Sequence, residues 1–443
     1  MATSARRLAL RILGEVVRPQ RTLAPALDQP EVAALDPRDR AFLHELVLGT
    51  LRRRGWLDHV LAQVLDHPAE RLPDSLRDAL RLGAYQLLFL RVPAHAAVAE
   101  TVSLVRERSP RAAGLANAVL RRLQREGPPP EPDPVADVAR WLSTAGSLPP
   151  WLAERWLRRL GPERAVARAR ALLDPAPVHF RYNPRVADAQ ARAHAAGLAP
   201  RPAAVPGAWE ATGGRVSELA AEGVIYVQDQ GSQLVARLAA RPRLVLDACA
   251  APGGKALLLA DELEASGGRV VAADASPSRL RTLAELRRRW ASPNLSLLVA
   301  DAARPPFSTV FDALLLDAPC SALGTLARHP DVRWRSRASD IARHSRRQSR
   351  LLEALSPLVG TDGLLVYATC SDEEEETEAV VARFLEDHPE FEPATPPEWA
   401  RPFTDGRFLR TCPETHGGDA FFVAPLQRPR GDKPRTISRD MVG

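Results

Sequence analysis

Leu244-Val245-Leu246-Asp247-Ala248-Cys249-Ala250-Ala251-Pro252-Gly253-Gly254-Lys255 is an apolar run that breaks into a glycine loop, and the helical repeat Ala256 to Leu263 follows directly. A short apolar run bounded by turn residues reads as a buried strand, and the glycines let a ligand approach the backbone. The spacing is neither Gly-x-x-x-x-Gly-Lys-Ser/Thr nor Gly-x-Gly-x-x-Gly, which favours a nucleoside without a pyrophosphate over a nucleotide phosphate. Five more apolar runs alternate with helical stretches: Val270 to Ala273, Leu295 to Val299, Ala313 to Leu316, Leu364 to Tyr367, and Phe421 to Val423. That order predicts an α/β domain, a doubly wound Rossmann-like parallel sheet whose ligands gather at the carboxyl ends of the strands.

The strand ends carry chemistry. Asp274 closes the second run and Asp301 follows the third, placed to accept from a ribose hydroxyl and an adenine amino group. Either aspartate alone is more often a turn or N-cap residue than a ligand, but their regular placement together with the loop suits S-adenosylmethionine. The candidate cofactor residues are Cys249, Ala250, Ala251, Pro252, Gly253, Gly254, Lys255, Asp274, Asp301 and Asp317. Two of the four cysteines sit just past strands, in Asp317-Ala318-Pro319-Cys320 and Ala368-Thr369-Cys370-Ser371, which points to covalent chemistry on a pyrimidine ring. The other two, Cys249 and Cys412, read as buried structural thiols.

Around this domain, 443 residues are too many for one core and predict several. Residues 1–127 read as six or seven helices, with Leu8, Ile12 and Val16 on one face and Phe42, Leu46, Val47 and Leu51 on another. They hold 20 Arg, no Lys and 14 acids, and the rest of the chain is neutral, so the whole surplus of +6 lies there. Arginine forks suit phosphate contacts. A proline-rich linker is expected over 128–140, a small α/β adaptor over 141–221, the sheet domain over 222–428 and a basic tail over 429–443. Only Lys255 and Lys433 are lysines, so a lysine beside two glycines marks a place for a compact ammonium. No run reaches the roughly 20 apolar residues of a membrane span. No Cys-x-x-Cys pair suggests a zinc ribbon or a disulfide scaffold. A cytoplasmic protein without metal or membrane partner is expected.

The loop Asp247 to Lys255, the stretch Asp317-Ala318-Pro319-Cys320-Ser321 with Gly324 and Arg328 to Trp334, and Thr369-Cys370-Ser371 together resemble the motifs of the Sun family of RNA cytosine-5 methyltransferases. Gln228-Asp229-Gln230-Gly231-Ser232 and Gly418-Asp419-Ala420-Phe421-Phe422 are similar to its flanking motifs. The N-terminal half, with Arg81 to Leu88 and Val92 to Thr101, resembles the NusB-like RNA-binding domain that marks the small-subunit ribosomal RNA subgroup. The resemblance implies a class I methyltransferase domain behind an all-α NusB-like domain, S-adenosylmethionine as methyl donor, and a cytidine of 16S rRNA, naked or in an assembling small subunit, as target.

By the same resemblance Cys370 is the nucleophile that adds to C6 of the base, and Cys320 assists removal of the C5 proton and release. Asp317 supports the charge that develops on N3, and Lys255 holds Asp317 or the base in register. A tRNA methyltransferase, a DNA cytosine-5 methyltransferase with the Pro-Cys thiol as nucleophile, and a non-catalytic RNA-binding or antitermination factor are the alternatives. Two stretches depart from the family pattern: Asp419-Ala420 stands for the usual Asp-Gly, and Asp372 to Glu378 is almost wholly acidic. The acidic run is expected to be a solvated helix start whose charges complement the helix dipole.

Overall fold

The computed structural model describes residues 4–16 and 22–430. The expected basic tail, past Arg430, lies outside them. The chain forms two compact units, one of residues Met1–Ala176 with Thr325–Ala338, the other of Pro177–Gly324 with Ser339–Gly443. No helix among the described residues is long and apolar enough to cross a membrane.

Among the described residues of the first unit, eight α-helices run between Ser4 and Glu126, two of them of only four or five residues. Their apolar stripes meet: Leu10, Ile12, Leu43 and Leu46 are fully buried, each contributing about 1.5–3 kcal/mol. Asp36 opens the helix Pro37–Arg52 by accepting from Asp39 N at 2.9 Å, with Pro37 in the first helical position, where its missing N–H costs nothing. The long helix Pro150–Ala171 is broken in two at Gly161-Pro162, where Gly161 takes φ 74°. The segment Thr325–Ala338 groups with this unit through polar anchors. Arg333, fully buried, donates to Ser147 O (3.1 Å), Leu172 O (3.3 Å) and Leu326 O (3.1 Å). Trp334 Nε1 donates to Leu51 O at 2.7 Å.

The second unit begins with a four-stranded antiparallel sheet: β1 His179–Tyr182, β2 Ala199–Pro202, β3 Trp209–Thr212 and β4 Ile225–Val227, in the order β2-β3-β1-β4. Next come β5 Leu244–Asp247, β6 Arg269–Asp274, β7 Leu295–Val299, β8 Phe311–Asp317 and β9 Val359–Thr369, then β10 Glu392–Pro393, β11 Thr404–Asp405, β12 Phe408–Thr411 and β13 Phe421–Gln427. These make one sheet ordered β11-β12-β13-β9-β8-β5-β6-β7, with β10 beside β13. The run β9-β8-β5-β6-β7 is parallel, and each apolar run of the sequence falls inside a strand. The last strand does not continue the parallel order: β13 lies antiparallel on β9, with Phe422 opposite Thr369, and β12 pairs antiparallel with β13. The nine residues from Cys412 to Ala420 turn β12 straight back into β13, whereas a parallel neighbour needs a crossover of a dozen or more.

Successive strand residues serve opposite faces. Val245, Ala313, Leu315, Leu364, Val366 and Ala368 pack with the helices Gln230–Ala239, Gly254–Glu264 and Pro277–Trp290. Leu246, Leu314, Leu316, Leu365 and Tyr367 pack with Ala338–Leu355 and Glu378–Asp387. Burial on both faces is why these strands are apolar without alternation. The sheet order reverses at β5, between β6 on one side and β8 on the other, which opens a crevice above the carboxyl ends of β5 and β8.

Candidate active site

β5 ends at Asp247, and the loop after it turns into the helix Gly254–Glu264. Gly253 caps that helix with φ 118°, and a Cβ there would drive into Leu283; both facts call for glycine. Asp274, at the end of β6, ties the loop down: Oδ2 accepts from Ala251 N at 3.1 Å and Oδ1 from Ser276 N at 2.9 Å. Arg279 bonds the carbonyl of Ala251 and lies 3.5 Å from Asp274. Asp301 stands exposed after β7 and accepts from Ala303 N at 2.9 Å.

Asp247 is almost wholly buried, and its two carboxylate oxygens have no well-formed hydrogen bond. Burial, then the charge of Asp317, push its pKa up to about 7. A buried carboxyl so weakly satisfied, beside a glycine loop, suits a ligand that brings donors or positive charge. The amino and sulfonium groups of S-adenosylmethionine supply both, so the residues of the loop fit that cofactor. Cys249 sits in the same loop with its thiol pushed up to about 12 by burial and then by Asp247, Asp317 and Asp274, which makes it unreactive.

The two remaining strand ends bring the reactive residues together. β8 and β9 are parallel neighbours with Asp317 opposite Ala368, so the loops that follow emerge side by side. Cys320 Sγ lies 3.3 Å from Cys370 Sγ. Gly324 N donates to Cys370 O (3.0 Å), and Gly324 O accepts from Ala420 N (2.8 Å), which threads the Cys320 loop between the Cys370 turn and the start of β13. Lys255 Nζ donates to Asp317 Oδ2 at 2.7 Å and lies 5.1 Å from the centre of the Phe421 ring. Burial would lower the Lys255 pKa, but Asp317 outweighs it and Cys370 adds to the rise, so the ammonium stays charged. The Cys320 thiol is raised well above its usual value by its hydrogen bond to Cys370, by burial, and by the charges of Cys370 and Glu376. The two thiols face each other, and either sulfur can be the donor.

The flanking motifs meet beneath this cluster. Asp229 accepts from Gly231 N at 2.8 Å and from Asp419 N at 3.1 Å, which joins two stretches 190 residues apart. Cys412 is 5% exposed in the turn that leads there.

The acidic run after Cys370 is not a solvated helix start. Glu374 and Glu375 are exposed and Glu378 is partly so, whereas Asp372, Glu373 and Glu376 are buried. The chain makes a 3-10 turn over Glu374–Glu376 and folds back under the thiols before the helix Glu378–Asp387 begins. Neutral donors from distant loops take the place of water. Sequence reasoning also passed over Asp247, quoted in the loop but not assigned to the cofactor, and Ser321, Ser371 and Gln348 around Glu376. The one local signal was that a serine directly follows each strand-end cysteine.

Residues 237–427 match the family model described as 16S rRNA methyltransferase RsmB/F, and residues 3–125 match that of the NusB family. A Synechocystis protein named probable ribosomal RNA small subunit methyltransferase B is 35% identical over 448 residues, covering 96% of this chain and 99% of the relative. The chain belongs to the ribosomal RNA small subunit methyltransferase B family. The family member from Thermus thermophilus is 38% identical, over 88% of this chain and 89% of its own. The crystal structure of PH0851 superposes with a TM-score of 0.76 at 25% identity, over 96% of this chain and 99% of that one. The family resemblance read from the motifs, and the NusB-like and Rossmann-like folds expected with it, are borne out.

Proposed function

We propose that this RNA methyltransferase carries a methyl group from S-adenosylmethionine to C5 of a cytidine in 16S rRNA, through a covalent bond between Cys370 and C6 of the base. The observation that carries the reading is the pair of sulfurs 3.3 Å apart beside the Lys255–Asp317 ion pair, at the carboxyl ends of adjacent strands. One thiol alone could be a core residue; two at one strand-end crevice call for a two-step reaction.

C5 of cytosine is a poor nucleophile until something adds at C6. The Cys370 thiolate forms the S–C6 bond, and the ring electrons it displaces collect on N3 and C5. A proton shared across the Lys255–Asp317 pair meets the charge on N3. When bound in the Asp247–Lys255 loop, S-adenosylmethionine supplies an electrophilic methyl group for C5. Removal of the C5 proton then returns its electron pair to the ring, reforms the C5–C6 double bond and expels Cys370 as thiolate. Cys320, or a water it orders, is the base. Its own geometry times this role: Cys370 is the largest influence holding the Cys320 proton in place. Once the Cys370 sulfur is bonded to carbon that influence is gone, and Cys320 ionises more readily at the step that needs a base.

Two measurements test the reading. In Cys320→Ala a covalent RNA adduct accumulates and survives a denaturing gel, whereas Cys370→Ala forms none; an adduct in the second variant would reverse the two roles and favour the DNA-enzyme pattern. Bisulfite sequencing of unmodified 16S rRNA, after incubation with protein and cofactor, should show one protected cytidine. Protection of tRNA instead would keep the chemistry and discard the substrate, and no modification of any RNA would leave a binding factor.

A further inference from the structure

Glu376 is fully buried, and its carboxylate is crowded with donors. Oε2 accepts from Ser321 Oγ at 2.5 Å and from Ser371 Oγ at 2.7 Å. Oε1 accepts from Ser321 N at 2.8 Å and from Gln348 Nε2 at 3.2 Å. The same Gln348 amide reaches Pro319 O at 3.1 Å, and the Glu376 carbonyl accepts from Tyr367 OH at 2.5 Å. Taking a carboxylate out of water costs several kcal/mol unless its lone pairs are satisfied, so this one must organise something. Its partners say what: Ser321 follows Cys320, Ser371 follows Cys370, Pro319 precedes Cys320, and Tyr367 lies three residues before Cys370.

We propose that Glu376 is the positioning residue of the thiol pair, one carboxylate that pins the loops after β8 and β9 to each other and so fixes how far Cys320 stands from Cys370. It touches no substrate. The inference rests on the two-thiol reading above, because only a reaction that uses both sulfurs needs their separation held. A displacement of about 1 Å in such a pair costs on the order of 100-fold in rate. The charge itself is secondary to the cross-link: in Glu376→Gln the amide oxygen still accepts from Ser321 N and Gln348, while the amide nitrogen donates to the two hydroxyls.

The experiment has an arm that needs no methyl transfer. Diamide takes two electrons and two protons from paired thiols to make a disulfide, at a rate set by the thiolate available and by how often the sulfurs meet. With the full-length protein, Cys320–Cys370 disulfide formation, followed by peptide mass mapping, is expected to be at least 10-fold slower in Glu376→Ala than in wild type, and within about 3-fold in Glu376→Gln. In steady-state methylation, Glu376→Ala is expected to lose about 100-fold in kcat with KM for RNA and cofactor within about 3-fold, and Glu376→Gln to recover most of it. The double variant Ser321→Ala/Ser371→Ala should reproduce the Glu376→Ala loss, which keeps the test decisive if Glu376→Ala fails to fold. Unchanged disulfide rates in Glu376→Ala or in the double serine variant would overturn the proposal. So would failure of Glu376→Gln to restore the rate, since charge and not position would then matter. Slowed cross-linking together with no methylation of any RNA by wild type would sink the reaction and leave the positioning intact.

Discussion

Gly324→Ala is the smallest change that should damage the thiol site. Gly324 has no unusual φ, so only space is at stake. A Cβ there would fall onto the carbonyl oxygen of Ala420, with Cys370 O at 2.8 Å and Ala420 C at 3.0 Å. All are backbone atoms of strand ends, unable to swing aside as a side chain would. Reaching ordinary contact demands a shift of about 0.6 Å away from Cys370 and more from Ala420. That strains the two hydrogen bonds through which Gly324 ties Cys370 to Ala420, worth about 1 kcal/mol each. With about 1–3 kcal/mol of overpacking, the loss is about 3–5 kcal/mol. In a unit of this size that lowers Tm by about 10 °C. The rate should fall at least tenfold at a temperature where the variant is still folded, because the displaced segments carry both sulfurs. Gly14→Ala is the control: nothing lies within 4 Å of its Cβ in the helix Ser4–Val16, and the same substitution should gain about 0.5–1 kcal/mol. Thermal denaturation by circular dichroism and initial methylation rates decide it. Gly324→Ala melting within about 2 °C of wild type with full activity would refute the packing argument.

Asp247, raised to about 7, holds a proton in the folded protein that the unfolded chain gives up near pH 4, so without cofactor stability falls as pH rises from about 4 to about 7. Asp247→Asn should therefore be more stable than wild type at pH 8, by about 4 kcal/mol, and no more stable at pH 4, while binding S-adenosylmethionine at least tenfold more weakly; melting curves at the two pH values and calorimetric titration measure both, and a pH-independent difference would count against the reading. Lys255→Met deprives Asp317 of its 2.7 Å partner and should cost about 10²–10³ in kcat with little effect on Tm; a loss under fivefold would remove Lys255 from the reaction. Arg343, Arg346, Arg347 and Arg350 form one exposed stripe on the helix Ala338–Leu355, and replacing the last three by Gln should flatten the slope of log KM for RNA against log salt by up to about 2, with kcat unchanged. An unaltered slope would place RNA elsewhere.

The parallel strands were legible because burial on both faces makes them uninterrupted apolar runs, and the glycine loop because a close backbone approach leaves few residue choices. The small sheet was less so. β2 is Ala-Pro-Arg-Pro, a composition that argues against a strand, and it survives only at the sheet edge, where proline forfeits no ladder bond. The direction of β13 was hidden because apolar character carries no sign. The acidic run misled for a related reason: solvation is the default for charge, and the donors that replace water around Glu376 come from Ser321, 55 residues away, and Gln348, 28 away. Cys320 and Cys370 read from the sequence as strand-end thiols and do follow β8 and β9, yet their 3.3 Å contact follows from a strand register that no local pattern encodes.

The grouping of Thr325–Ala338 with the helical unit gives that unit a timetable. Ser147 O and Leu172 O, the acceptors that Arg333 fills, emerge from the ribosome long before Arg333 does. About 160 residues separate the end of the first segment at Ala176 from the end of the second at Ala338. At roughly 5–20 residues per second, the N-terminal helices wait some ten to thirty seconds for their last piece. During synthesis the amino-terminal half is thus an unfinished object, completed by the same stretch of chain that has just delivered Cys320.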